Sequence, residues 1–369
     1  MHFVFLSSTM KFTGGTKLLF EYASYLRNAG HRTDVLVKHK TGTLKDSIDV
    51  TIVPDFISEF IPECDLVIAT TPRDLRQAWD SKKNKVVNFC QGFQITELEQ
   101  RIQGYNIPLR FQKKGIVNKL RLIRKKISWQ KKIKRIDKLY KLPIPMITVA
   151  KPLQKILEQR YNRKVDLCVN GVSKKYFFSA IEKAEIKITA DRPLRIISVG
   201  PFDVSVKGIS ITLDAIKKLK SIGVPIHFTR IAPEFIDVEK KDPCVDEFFE
   251  NVSSQKMGEI MRSSDVYISN SFAAEGFGLP AIEALSCGLI CILNSIPSYK
   301  SFSDRDGFCY FLDENNVDKT VKAIQKIVQL SKSDMNIIHN NALEVASNFS
   351  LDKACQSFEQ ILLRIAKER

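Results

Sequence analysis

Short apolar runs recur along the chain at residues 3–6, 35–37, 66–69, 86–89 and 147–149, and again at 195–199, 227–231, 266–269 and 289–293. Stretches with helical spacing separate them, among them residues 17–28, 209–222, 257–263 and 279–286. Runs this short, alternating with helical segments, predict parallel sheets with helices on both faces. The alternation occurs twice, and Asn170-Gly171 interrupts it with a turn signal. The expected fold class is therefore α/β, with two Rossmann-like domains whose parallel sheets carry ligands at the carboxyl ends of the strands.

The 369 residues exceed what one hydrophobic core commonly spans, and the 44% hydrophobic content excludes a disordered chain. A boundary near residue 170 gives domains at 1–170 and 171–350. The opening residues 1–7 lack a basic leader and a long apolar core, so they read as a first strand, not a signal peptide. No apolar run approaches the roughly 20 residues that a membrane-spanning helix needs. A cytoplasmic protein is expected.

Charge changes this picture at one place. Residues 110–138 hold thirteen Lys or Arg against the single acid Asp137, so most of the chain's net +16 is concentrated here. A local patch implies a partner. Ile116, Leu120, Ile123 and Ile127 follow helical spacing, as do Trp129, Ile133, Ile136 and Tyr140, but the two stripes differ in phase by about 140°. Either a break falls near Ser128, or one stripe packs inward while the other faces out. An anionic membrane surface would engage Lys125, Lys126, Trp129, Lys131 and Lys132. Nucleic-acid binding and a merely solvated insertion are the competing readings, and no nucleic acid is expected.

The eight cysteines are scattered without a C-x-x-C pair, which predicts reduced core thiols and no zinc site. Gly14-Gly15 does not complete the G-x-G-x-x-G pattern of dinucleotide binding, which disfavours a dehydrogenase.

The most specific chemistry lies in residues 275–283, where Glu275 and Glu283 stand eight positions apart around Gly276, Phe277, Gly278 and Leu279. The glycines let backbone approach a ligand, and the N–H groups that open the following helix face any anion. Pro280 suits the first helical turn. Glu283, less than two turns in, can accept hydrogen bonds from sugar or ribose hydroxyls.

These residues resemble the E-x7-E element of retaining GT-B glycosyltransferases, and the chain is similar to glycosyltransferase family 4. Further likenesses are Gly30-His31 before residues 33–37, Val169-Asn170-Gly171-Val172, and residues 196–200 followed by Lys207-Gly208. The resemblance implies a GT-B fold whose two domains face each other across a cleft, with an acceptor-binding domain first and a nucleotide-sugar domain second. It implies that the closing helix, 351–369, crosses back to the first domain. The implied activity is retaining, metal-independent sugar transfer from a UDP- or GDP-linked donor, with no cofactor. The acceptor would be a membrane-associated glycan or polysaccharide of the cell surface, at the inner face of the cell membrane. A soluble enzyme with a small acceptor and a nonenzymatic basic nucleic-acid-binding protein are the alternatives.

By the same resemblance Glu275 contacts the donor sugar, the backbone of 276–279 the sugar and phosphates, and Glu283 the ribose. Lys207 holds the diphosphate, with Gly208 opening the next helix as an anion site. Gly14 and Gly15 let the first loop approach the diphosphate or the acceptor, and Gln91 and Gly92 line the acceptor side. Two departures stand out. Pro201 occupies the place where the family usually has Arg, which leaves Arg230 as the candidate for the missing charge. Gln91 stands where many relatives have His, and an amide can position hydroxyls but not abstract their protons. Asp304-Arg305-Asp306 imitates a D-x-D metal motif but fits the family's loop ending in Asp306-Gly307.

Overall fold

The computed structural model describes residues 1–8, 10, 13–38, 49–105, 107, 115–179, 188–189 and 191–368. Residues 1–170 with 352–369 form one compact unit, and residues 171–351 form the other. Residues 110–114, the start of the basic segment, lie outside the described residues.

The first unit is built on β1 (His2–Ser7), β2 (Arg32–Val37), β3 (Val50–Ile52), β4 (Leu66–Ala69), β5 (Val86–Cys90), β6 (Met146–Thr148) and β7 (Asp166–Leu167). They form one sheet in the order β3-β2-β1-β4-β5-β6-β7, with every pairing parallel. The helices α1 (Gly14–Asn28), α2 (Pro72–Asp80), α3 (Gln94–Gln103), α4 (Ile116–Tyr140) and α5 (Lys151–Tyr161) alternate with the strands. Gly14-Gly15, expected as a turn, is instead the first pair of residues of α1. Thr13 caps this helix by accepting a hydrogen bond from Thr16 N at 3.3 Å.

The second unit repeats the plan with β8 (Leu194–Val199), β9 (Ile226–Ala232), β10 (Glu247–Glu250), β11 (Val266–Ser269), β12 (Ile290–Asn294) and β13 (Tyr310–Leu312). Their order is β10-β9-β8-β11-β12-β13, again all parallel. Its helices are α6 (Ile209–Ser221), α7 (Asp237–Lys240), α8 (Ser254–Arg262), α9 (Leu279–Ser286), α10 (Pro297–Lys300), α11 (Val317–Val328) and α12 (Lys332–Ser347). Leu194, Ile196, Leu213, Ile216, Phe228 and Ile268 lie in its core. Both sheets switch direction of winding about their first strand, which opens a crevice beyond the carboxyl ends of the strands.

The last helix, α13 (Leu351–Lys367), packs on the first unit. Phe358 is fully buried there, stacked on Tyr22 with ring centroids 4.5 Å apart and 4.9 Å from Phe89. Burying such a side chain stabilises by about 1.5–3 kcal/mol. His31 serves the same contact: its Nε2 lies 2.9 Å from Glu359 Oε1 and its ring meets Phe3 edge-on.

Helix α4 runs unbroken through Ser128. Trp129, Ile136, Leu139 and Tyr140 are buried, whereas Val117, Leu120, Ile123 and Ile127 are exposed. Of the two alternatives, one stripe inward and one outward is the one realised. Its inward face packs against α3, where the Arg101 guanidinium lies 5.9 Å from the Trp129 ring. Among the described residues no helix is long and apolar enough to cross a membrane. All eight cysteines are free thiols and six are buried; burial pushes the Cys90 and Cys168 thiols up to about 11.

Candidate functional site

In the second unit, the segment after β11 carries the expected acids. Glu275 follows a polar run, Ser269-Asn270-Ser271, at the carboxyl end of a fully buried strand. Lys207 Nζ donates to Glu275 Oε2 at 2.6 Å, joining two residues 68 positions apart. Ser271 Oγ donates to the same carboxylate oxygen at 3.3 Å, and Ser269 Oγ lies 3.0 Å from Ser271 Oγ and 2.7 Å from the Tyr299 hydroxyl. Burial and the Glu275 charge push the Tyr299 phenol above its ordinary range, so it remains a neutral partner in this relay. Lysine charge thus sits against the carboxylate in a partly buried setting, where it is screened less than at the surface.

Two helices start beside this pair. Gly208 is the N-cap of α6 with φ +61°, and a Cβ there would lie 2.0 Å from the Asn270 carbonyl oxygen. Asn270 is itself held: its Nδ2 donates to Thr212 Oγ1 at 2.9 Å, and Asn315 Nδ2 donates to its carbonyl at 2.5 Å. Gly278 is the N-cap of α9 with φ +93°, and a Cβ would meet the Tyr299 ring at 2.2 Å. Pro280 occupies the first turn of α9, as the sequence predicts. Neither helix has a side-chain N-cap bond or an acid in its first turn. The opening N–H groups of both helices therefore favour an anion. Phe277 packs against Phe302 and Phe349, which leaves only its backbone to serve a ligand. Glu283, in the second turn of α9, is nearly enclosed.

Arg230 does not meet its expectation. It is 0% exposed, with Nε on Glu239 Oε1 at 2.8 Å, Nη1 on Ser198 O at 2.6 Å and Nη2 on Gly200 O at 2.5 Å. A guanidinium committed to internal carbonyls and a buried acid does not reach out to a diphosphate.

In the first unit, Gln91 and Gly15 come together at the carboxyl ends of β5 and β1. Gln91 Nε2 donates to Gly15 O at 3.2 Å, and a Cβ on Gly15 would fall 2.8 Å from Gln91 Oε1. Gly14 opens the same helix, and Gly92 follows Gln91 in an open turn with space around its Cα. On α4, Lys131 and Lys132 are exposed, Lys125 and Lys126 are half-buried, and Trp129 faces inward. A Trp packed at 5% exposure does not dip into a lipid surface, so its assignment as a membrane residue is corrected. The serines, Asn270 and Tyr299 escaped the sequence reading; a polar triplet ending an apolar strand was the available signal.

Residues 246–344, which contain both glutamates, match the family model described as Glycosyl transferases group 1. No curated protein matches the chain. Among solved structures, the sucrose-phosphate synthase of Thermosynechococcus elongatus is 13% identical with a TM-score of 0.73, and the match covers 98% of either chain. HepE of Anabaena in complex with UDP-glucose is 15% identical at a TM-score of 0.73, covering 99% of this chain and 100% of that one. WaaG, a glycosyltransferase involved in lipopolysaccharide biosynthesis, is 14% identical at a TM-score of 0.70, covering 98% and 99%. Two Rossmann-like units with these strand orders, together with these structural likenesses, give the GT-B fold, and residues 246–344 are similar to the glycosyl transferases group 1 model.

Proposed function

We propose that this chain is a retaining glycosyltransferase, moving a sugar from a UDP- or GDP-linked donor to a membrane-associated glycan in cell-surface polysaccharide synthesis. The observation that carries this reading is the Lys207–Glu275 pair set beside two helix N-termini that lack acids in their first turns. Breaking the bond between the sugar and the diphosphate leaves negative charge on phosphate oxygens. Lys207 and the opening amides of α6 and α9 supply positive charge for that leaving group without a metal ion. Glu275 directs a carboxylate at the sugar, whose anomeric centre gains positive character in the transition state. Glu283 accepts from the ribose hydroxyls, and the backbone of 276–279 approaches sugar and phosphates. Gly14, Gly15, Gln91 and Gly92 position the acceptor hydroxyl; catalysis is then mainly placement and electrostatics.

The names of the similar structures support the substrate class: one is a complex with UDP-glucose, and another acts in lipopolysaccharide biosynthesis. Helix α4 supports the membrane-bound acceptor. Lys131, Lys134, Arg135 and Lys138 fall on the same outward line as Leu120, Ile123 and Ile127, and all seven are exposed. Aliphatic residues enter the lipid interface while cations meet anionic headgroups, each worth about 1 kcal/mol near the surface. Trp129 and Tyr140, the aromatic residues of α4, are both buried, so the helix offers no stacking platform for bases.

Thermal melting against a panel of UDP- and GDP-sugars tests the function. At least one donor is expected to raise the melting temperature in proportion to the logarithm of its concentration. A panel with no stabilising member would remove the reading.

A further inference from the structure

Arg230 and Glu239 form an ion pair sealed in the second unit, with both residues 0% exposed. Burying such a pair is seldom a net gain in stability, because desolvation offsets the attraction. Burial pushes the Glu239 carboxyl up and Arg230 pulls it back, while Glu239 Oε2 has no hydrogen-bond partner among the described residues. A pair of this kind calls for a reason other than stability.

Its geometry supplies one. The two remaining arms of the guanidinium grip the carbonyls of Ser198 and Gly200, at the carboxyl end of β8. Gly200 has φ +136°, donates its N–H to Ile231 O at 2.9 Å, and lies against Lys207: a Cβ there would be 3.3 Å from Lys207 Cγ. The stem of the lysine that ends this loop therefore lies within about a methyl group's reach of the turn that leaves the sheet at Gly200. Pro201, directly after the clamped carbonyl, has no N–H with which to hold the turn from its other side.

We propose that Arg230 is a positioning residue for donor binding, fixing the Gly200 turn from beneath so that the stem of Lys207 rests on it and its ammonium meets Glu275. Glu239 on α7 orients the guanidinium through Nε, which aims the two Nη groups at the two carbonyls. Arginine suits this task because its planar fork presents parallel donors at fixed spacing, whereas lysine offers one flexible point charge. The inference rests on the proposed donor site, since it concerns the placement of Lys207.

The test compares the intact wild-type chain with Arg230→Lys, and with Arg230→Met combined with Glu239→Gln so that no charge is left buried alone. The readouts are KM for donor and for acceptor, kcat, and hydrogen exchange of residues 200–208. The double variant is expected to melt cooperatively, to raise the donor KM on the order of tenfold or more with the acceptor KM unchanged, and to exchange faster over 200–208. Arg230→Lys, keeping the charge and one of the two carbonyl bonds, should fall between. Unchanged exchange over 200–208, or an unchanged kcat/KM for the donor in the double variant, would overturn the clamp. A wild type that binds no nucleotide sugar overturns the donor-site reading and this inference with it; a wild type that binds, beside variants that bind equally, overturns the clamp alone.

Discussion

Lys207 and Glu275, 68 residues apart in sequence, meet at 2.6 Å between Nζ and Oε2. The pair unites the residue assigned to the diphosphate with the one assigned to the sugar. Lys207→Ala is expected to lower kcat/KM for the donor by about 100- to 1000-fold, the range for loss of one preorganised charge partner in a transition state. Lys207→Arg should restore little, because a planar fork does not reproduce the compact point charge that Lys207 presents to Glu275. Steady-state kinetics with circular dichroism checks this; near-normal turnover in Lys207→Ala would remove the residue from the chemistry.

Gly208 and Gly278 set the starts of α6 and α9. Both have positive φ, and an added Cβ would strike the Asn270 carbonyl or the Tyr299 ring at 2.0 and 2.2 Å. Gly208→Ala faces fixed backbone and is expected to cost about 1–3 kcal/mol in stability through strain alone. Gly278→Ala faces a buried ring and should cost a comparable amount. Chemical denaturation measures both, and a change under about 0.5 kcal/mol at Gly208 would contradict the local geometry.

The outward face of α4 separates lipid binding from stability. Changing Leu120, Ile123 and Ile127 to Ser together with Lys131 and Lys134 to Gln is expected to weaken binding to anionic vesicles by at least tenfold at low salt, with less difference at high salt. Trp129→Phe should leave vesicle binding unchanged while lowering the melting temperature, since Trp129 faces the protein. Cosedimentation at two ionic strengths decides; equal binding by the wild type and the five-fold variant would refute attachment through α4.

Chelation tests the metal assignment. With Lys207 and two helix N-termini supplying positive charge, donor turnover should persist in excess EDTA. Loss of activity that a divalent cation restores would require a metal at the phosphates.

Much of the fold was legible in the sequence, and the omissions share one cause. The nine apolar runs correspond to the interior strands β1, β2, β4, β5, β6, β8, β9, β11 and β12. A parallel strand covered on both faces must be apolar at nearly every position, as in the fully buried β4 and β12. The four strands that went unread, β3, β7, β10 and β13, are the sheet edges. They are two to four residues long and half-exposed, so Glu247-Phe248-Phe249-Glu250 gives no such signal.

The glycines that start α6 and α9 were legible because backbone geometry demands that residue type, as at Gly208 and Gly278. Arg230 was misread because its place at a strand end suggests a ligand contact, while its burial beneath the Gly200 turn depends on tertiary packing. Trp129 was misread for the same reason: composition marks the helix as amphipathic, and only the neighbour α3 decides which stripe is covered.

Donor binding by the second unit is tested most directly by calorimetric titration of the wild type and Glu283→Gln with the nucleotide sugar that most stabilises the wild type. The ribose assignment predicts saturable one-to-one binding to the wild type and at least a tenfold weaker affinity for the variant at unchanged thermal stability. Equal affinities, or no heat from the wild type with any donor tested, would contradict it.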